Sequence, residues 1–234
     1  MSQLASAIDI GQVHFKNKMI KGAMSEALAN HAGQPNHLHL GLYEAWAKGG
    51  LGCAITGNVM VDFRAKNEPG VVVIETERDL EPLKQWAAIG KKYGMVQLVQ
   101  LSHPGRQCPK GLNKETVAPS AVPFSPALSM SFGTPRALRE DEILDIIQRF
   151  ATSAAICEKA GFEGVQLHGA HGYLISLLKT ACVFYWKFIK RYVRQRQSSL
   201  LFRSNSTRQI FSVVESRKKM SLRHLKRLMR LGLI

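Results

Sequence analysis

The chain has 234 residues, 45% of them hydrophobic, so it can bury one large core or two small ones. Its formal net charge of +15 lies almost entirely beyond residue 177, where 15 Lys and Arg stand against one acid, whereas residues 1–177 hold 17 basic and 16 acidic residues. The total charge therefore gives no ground for classing the folded part with nucleic-acid-binding or membrane-surface proteins.

The cysteines and the N-terminus exclude other classes. The four cysteines are scattered, without a CxxC pair or a Cys/His metal spacing, so we expect neither a disulfide framework nor a metal site. The first residues, MSQLASAIDIGQVHF, lack a basic start followed by an apolar core and make a poor signal peptide. No apolar run approaches the roughly 18 to 20 residues of a membrane span. We expect a cytoplasmic protein with reduced thiols.

Helical and strand-like segments alternate along residues 18–160. Three predicted helices begin on a cap or on acids and end on lysine followed by glycine, which suits the helix dipole and a left-handed C-cap. These helices cover residues 36–48, 79–94 and 140–161. Short buried runs between them are predicted to be parallel strands, at residues 19–24, 51–57, 95–101 and 162–168. The proline-rich stretch 102–139 is predicted to be a long, functional loop.

This order of elements opens two kinds of α/β fold, a doubly wound sheet and a (β/α)8 TIM barrel. The glycine-rich dinucleotide turn that a doubly wound sheet would carry after its first strand is absent. Each predicted strand ends at polar residues, which in a barrel would share one catalytic face. These residues are Ser25 and Glu26, Thr56 and Asn58, Gln100 and His103, and His168 and His171. The alternative is that they only mark where strands leave the core.

Six segments between residues 15 and 176 resemble one family, in the right order and at plausible spacing. They are FKNKMIKGAMSE, ITGNVMVD, QLVQLSHPGRQ, VAPSAVP, PRALREDEI and AGFEGVQLHGAHGYLIS. The resemblance is to the old yellow enzymes, flavin-dependent NAD(P)H oxidoreductases built on a (β/α)8 TIM barrel. It implies FMN as the cofactor, NAD(P)H as the reductant, and an activated alkene such as an α,β-unsaturated carbonyl as the small-molecule substrate.

The resemblance also implies which residues contact the flavin. Ala23, Met24 and Ser25 would line the ring, with Ser25 where the family tunes the flavin potential. Gly57 would let the backbone approach the ring, and Gln100 would hydrogen-bond its pyrimidine edge. Taken alone, Ser25 is more typical of a turn or helix cap. Gln100 is more informative by itself, because a buried amide must find partners.

The catalytic residues implied by the resemblance are His168, His171 and Tyr173. Hydride transfer to the β-carbon of the alkene builds negative charge on the carbonyl oxygen, and two imidazole N–H donors would stabilise it. Tyr173 would deliver a proton to the α-carbon. The alternative for the two histidines is a satisfied strand exit and a surface residue.

The pattern of the family stops at residue 177. The family binds the flavin phosphate with loops after its last two strands, and the sequence after Ser176 offers no counterpart. We therefore expect an incomplete TIM barrel, the first four β/α units over 1–177, followed by an unmatched basic tail over 178–234 that is poorly ordered or helical. Such a chain would bind FMN weakly or not at all, its activity would be doubtful, and a homo-oligomer would be one way to cover its open edges.

Two interpretations of the tail remain. The abrupt change in composition is typical of a reading-frame shift, a retained intron or a faulty gene model. The rival is a selected tail, in which SRKKMSLRHLKRLMRLGLI forms a basic amphipathic helix and the chain is a non-catalytic interaction protein that binds membrane or nucleic acid. We favour the first interpretation, because random sequence often mimics the second, and we do not expect the tail to bind either partner.

Overall fold

The structure is a computed structural model that describes residues 3–178, 187–192, 201–204 and 210–212. The basic segment 216–234 considered above lies outside the described residues. The α-helices are α1 His37–Lys48, α2 Leu80–Tyr93, α3 Pro126–Ser129, α4 Glu140–Ala160 and α5 Leu174–Leu177, with 3-10 turns at Gln3–Ala5 and Glu77–Asp79, and residues 187–192 are also helical. The strands are β1 Ile8–Ile10, β2 Val13–Phe15, β3 Ile20–Lys21, β4 Cys53–Met60, β5 Val96–Ser102, β6 Val117–Ala118, β7 Arg136–Ala137, β8 Gly164–Leu167, β9 Leu201–Ser204 and β10 Ile210–Ser212.

The main sheet has six strands, in the order β10-β9-β8-β5-β4-β3. All pairs from β3 to β9 are parallel, and β10 runs antiparallel at the edge. Each parallel strand therefore lies beside the next one in the chain, without the reversal of order that defines a doubly wound sheet. The four predicted strands are present and parallel, and their arrangement is that of a barrel wall.

Two segments of the tail extend this wall, although no sequence pattern indicated strands there. β9 pairs with the free edge of β8, and β10 pairs with β9. The helical residues 187–192 pack on the core through Phe188 and Tyr192, and the Tyr192 hydroxyl donates to Glu158 of α4 at 2.7 Å. Residues 187–192 are helical and residues 201–204 and 210–212 form strands, and the prediction for the tail as a whole stays a prediction. The backbone groups along the edge of β8 favour a further strand whatever its side chains are.

The predicted helix ends are largely confirmed. Asn36 Oδ1 accepts a hydrogen bond from the main-chain N–H of Leu38 at 2.9 Å. In return, the main-chain N–H of Asn36 donates to His39 Nδ1 at 3.3 Å. Gly94 and Gly161 close α2 and α4 in the left-handed conformation. The start of α2 differs, because Asp79 makes no cap and instead pairs with Arg78. A 3-10 turn capped by Thr76 precedes the helix.

Two apolar layers hold the sheet. The helices cover one face of the sheet with a large cluster, whose fully buried members include Tyr43, Trp86, Val99, Phe150 and Val165. On the opposite face, a smaller cluster gathers at the amino ends of β4 and β5: Phe15, Cys53, Ile55, Val96 and Leu98. The β1–β2 hairpin contributes Phe15 and so seals this end of the sheet. Polar side chains are left to the carboxyl ends. Among the described residues, no helix is long and apolar enough to cross a bilayer.

Two glycine substitutions, one at the end of α2 and one inside α1, test where these helices begin and end. Gly94 has φ +63, so Gly94→Ala should destabilise the protein by about 1 kcal/mol, because a side chain disfavours the left-handed conformation. Gly41 lies inside α1 with nothing within 4 Å of an added Cβ, so Gly41→Ala should stabilise by about 0.5–1 kcal/mol. Urea unfolding of the full chain measures both, and equal effects of the two changes would contradict the helix boundaries.

Candidate active site

A pair of buried amides forms the base of the candidate site. β5 and β8 pair with Gln100 opposite Gln166, on the face of the sheet away from the helices. Gln100 Nε2 donates to Gln166 Oε1 at 2.7 Å, and the main-chain N–H of Gln100 donates to Thr56 Oγ1 at 2.9 Å. The expectation that a buried Gln100 amide finds partners is met. Gln166, two residues before His168 on the same strand face, was missed, although the period of two in β8 would have found it.

The three predicted catalytic side chains lie together after β8. The ring centroids of His168 and His171 are 5.2 Å apart, and those of His168 and Tyr173 are 4.7 Å apart. His168 is buried, and its main-chain N–H donates to Leu101 of β5 at 2.9 Å. His171 is exposed. The edge-on imidazole pair with the phenol beside it gives this turn two potential N–H donors and one O–H donor.

The turn that carries these side chains is tied to the long loop after β5. His171 has φ +58, an uncommon conformation for a residue other than glycine, and its carbonyl accepts from Gln107 Nε2 at 2.6 Å. The main-chain N–H of Leu174 donates to the carbonyl of His103 at 3.1 Å. The side chain of His103 turns inward, where Nδ1 accepts from Gly105 at 3.1 Å. His103, considered above as a strand-end group of the catalytic face, thus fixes the turn.

Burial controls the charge of two histidines. It lowers the pKa of His168 to about 4, with a smaller contribution from the nearby His171, and lowers the pKa of His103 to about 4 as well. A neutral imidazole has one N–H donor and one acceptor nitrogen. His168 is therefore neutral at physiological pH and can donate one hydrogen bond without carrying a full charge in the core.

The exit of β3 carries the other predicted flavin contacts. Ala23 packs partly buried against the cluster at the amino ends of the strands, Met24 is 59% exposed, and Ser25 is exposed. The Ser25 hydroxyl donates to Glu68, a residue of the loop after β4. The structure therefore does not use Ser25 as a helix cap, the alternative considered above.

Gly57 lies in a register shift of β4, next to this exit. A Cβ added there would lie 2.7 Å from the carbonyl oxygen of Met24. The space is filled by the protein itself, so the glycine is needed for β3 to approach β4 whatever binds there. The predicted role of Gly57 toward a flavin ring stays a prediction.

A buried ion pair that was not predicted from the sequence anchors the same exit. Lys21 Nζ lies 3.4 Å from Glu26 Oε1, with both side chains 8% exposed. Glu26 Oε1 also accepts from the Tyr43 hydroxyl at 2.6 Å and from the Gly57 amide at 3.1 Å. Burial lowers the pKa of Lys21 against the opposing effect of Glu26. Lys21 within a short strand run was the available signal, since a lysine facing a core requires a partner.

Together the strand order and the helix packing define an α/β chain of the TIM-barrel type, with polar groups at the carboxyl ends of its strands. Residues 3–180 match the NADH:flavin oxidoreductase / NADH oxidase family, and the chain belongs to this family. The resemblance predicted from the sequence motifs is thereby confirmed.

Curated relatives support the assignment. The chain is 35% identical over 177 residues to the NADH-dependent flavin oxidoreductase iliE of Hypocrea jecorina, which covers 68% of this chain and 44% of that protein. It is 33% identical over 174 residues to the NADPH dehydrogenase of Clostridium acetobutylicum, which covers 74% of this chain and 50% of that protein. The chain thus spans about half the length of these two relatives.

Solved structures support the fold. The old yellow enzyme homologue from Zymomonas mobilis matches with a TM-score of 0.73 at 22% identity, over 82% of this chain and 60% of that one. Morphinone reductase in complex with tetrahydroNAD matches with a TM-score of 0.73 at 19% identity, over 83% of this chain and 61% of that one. The predicted TIM-barrel class is confirmed for the part of the barrel that the chain covers.

The buried histidines predict an acid-sensitive fold. Their folded-state pKa values, about 4, lie below the ordinary value of 6.5, so between pH 6.5 and 4 the unfolded chain binds protons that the folded chain does not. The free energy of unfolding should therefore fall as the pH drops through this window. Urea unfolding at a series of pH values should show that the free energy of unfolding falls less steeply with pH in His168→Asn than in the original chain. His31→Asn, at an exposed position, should leave this slope as it is in the original chain. An unchanged slope for His168→Asn would contradict the assignment.

Proposed function

We propose that this chain provides the ring-binding and substrate-binding half of an FMN-dependent NAD(P)H oxidoreductase of the old yellow enzyme type. The reaction would reduce activated alkenes, such as α,β-unsaturated carbonyls. The observation that carries the proposal is the convergence of His168, His171 and Tyr173 at the carboxyl ends of the strands, near the paired Gln100 and Gln166.

The residues at this edge fit a flavin ring. Gln100 can turn polar amide atoms toward a pyrimidine edge, and the exposed Met24 at the exit of β3 offers an apolar surface. Two buried polar atoms at the carboxyl ends of β4 and β5, Asn58 Nδ2 and Ser102 Oγ, have no hydrogen-bond partner among the described residues. Such atoms leave capacity for a polar ligand. When bound, FMN would supply hydride transfer between NAD(P)H and the alkene.

The three residues after β8 would act on the alkene. His168 and His171 would each donate an N–H to the carbonyl oxygen and stabilise the negative charge that develops there. Because His168 is neutral, this stabilisation comes from an oriented donor and not from a buried cation. Tyr173 would hold its proton for the α-carbon.

We further propose that the chain binds FMN weakly, because the family resemblance assigns the phosphate to loops of the other half of the barrel. The isoalloxazine ring would then supply most of the binding free energy.

The division of the site predicts how the chain discriminates between flavins. Titration with FMN and with riboflavin, followed by flavin fluorescence, should give dissociation constants within about threefold of each other, because the proposal assigns the phosphate contacts to the other half of the barrel. Gln100→Ala should weaken both by about tenfold, the effect of losing roughly 1.4 kcal/mol of buried hydrogen bonding. An FMN affinity far above that for riboflavin would contradict the proposed division of the site, and no binding of either flavin would contradict the proposed ring site.

The proposed role of Tyr173 predicts that its removal slows only the half-reaction that reduces the alkene. With saturating flavin and NADPH, Tyr173→Phe should slow reduction of cyclohex-2-enone by about 100-fold or more, the usual contribution of a general acid, and leave flavin reduction by NADPH unchanged. Tyr93→Phe is the matched control, since the Tyr93 hydroxyl donates to Glu44 between α1 and α2. Stopped-flow absorbance separates the two half-reactions. Equal slowing of both half-reactions would argue against a proton-donor role.

A further inference from the structure

The loop after β4 joins two strand exits that are not neighbours in the sheet. The Glu68 carboxylate accepts a hydrogen bond from the Ser25 hydroxyl at the β3 exit. It accepts a second one from Asn67 Nδ2 at 3.3 Å. Asn67 Nδ2 also lies 3.4 Å from the hydroxyl oxygen of Tyr173, after β8. Two strands separate β3 from β8 in the sheet, yet two consecutive loop residues connect their exits.

The donors and acceptors along this bridge allow one arrangement. A carboxylate oxygen only accepts, so Glu68 requires the N–H2 end of the Asn67 amide to face it. That amide nitrogen has two hydrogens, one for Glu68 and one for Tyr173. Tyr173 must then accept from Asn67, and its own O–H hydrogen is free to point elsewhere.

The loop is held on both sides of this pair. Before it, Asn113 Oδ1 accepts the main-chain N–H of Lys66 at 2.8 Å, and Asn113 Nδ2 donates to the carbonyl of Lys66 at 2.7 Å. After it, the carbonyl of Gly70 accepts from the Ala29 amide at 2.8 Å, and a Cβ on Gly70 would lie 2.6 Å from the Ala27 carbonyl. Positioning groups work best when their own supports are rigid in this way.

We propose that Asn67 and Glu68 are positioning residues for Tyr173. Glu68 sets the orientation of the Asn67 amide, and Asn67 occupies a lone pair of the Tyr173 oxygen, so that the phenol proton points away from the loop and into the site. The same carboxylate holds the Ser25 hydroxyl, which links the geometry of the β3 exit to that of the proton donor. The functional part of this proposal rests on the proposed function, whereas the bridge itself does not.

A double-mutant cycle tests the bridge without any flavin. Unfolding equilibria of the full chain are measured for Asn67→Ala, Tyr173→Phe and the double variant. If the hydrogen bond exists, the two single changes should be non-additive by about three- to tenfold in the unfolding equilibrium constant. The pair Asn30→Ala and Tyr173→Phe is the control and should be additive, because the Asn30 side chain bonds only Gln34 among the described contacts. Additivity in the Asn67 cycle would overturn the proposal.

The orienting role is tested with the isosteric Asn67→Asp change in the flavin-saturated chain. An acceptor in place of the amide should draw the phenol proton toward the loop. We expect kcat for cyclohex-2-enone to fall at least tenfold with KM little changed, and flavin reduction by NADPH to be retained. Asn30→Asp should change neither quantity.

Restoration of the geometry provides a further criterion. Glu68→Gln should lower kcat in the same manner as Asn67→Asp, because a glutamine side chain both donates and accepts and so no longer fixes the orientation of the Asn67 amide. Glu68→Asp keeps a carboxylate and should recover part of the loss. Full alkene reduction in Asn67→Asp would overturn the orienting role. If the original chain reduces no alkene, the proposed function fails, and the double-mutant cycle alone decides whether the bridge exists.

Discussion

The parallel pairing of β5 with β8 is the constraint on which the site depends. Its register sets Gln100 opposite Gln166 and carries the main-chain N–H of His168 to the carbonyl of Leu101. The exit of one strand is thereby fixed beside the exit of the next, and the turn after β8 returns to hydrogen-bond His103. Because these contacts are made by the backbone, the site geometry follows from the winding of the sheet, and the side chains supply its chemistry.

Much of this arrangement was predictable from local signals. The capping residue Asn36 and the terminal glycines Gly94 and Gly161 marked helix ends that the structure places within a few residues. Buried apolar runs marked four strands, and the polar residues after them marked one edge. These signals are local, since they depend on residues close together in sequence. The choice of a barrel over a doubly wound sheet required the order of strands, for which the missing glycine-rich turn was only indirect support.

What the sequence did not reveal are contacts between distant segments. Glu26 gathers Lys21, Tyr43 and the Gly57 amide from three different elements, and no periodicity in one segment encodes such a cluster. The bridge likewise joins distant parts of the chain. Ser25 and Glu68 are separated by 43 positions, and Asn67 and Tyr173 by 106. The strands at Leu201–Ser204 and Ile210–Ser212 were missed because an exposed sheet edge recruits backbone with little regard to side-chain pattern.

We propose that the strand exits converge to hold a flavin ring beside His168, His171 and Tyr173. A crystal structure of the full chain soaked with riboflavin measures this most directly. We expect the isoalloxazine ring to lie against Gln100, within reach of the exit of β3 and of the two histidines. A ring bound elsewhere on the chain, or exits of β3 and β8 that stand apart without the Glu68 and Asn67 bridge, would contradict it.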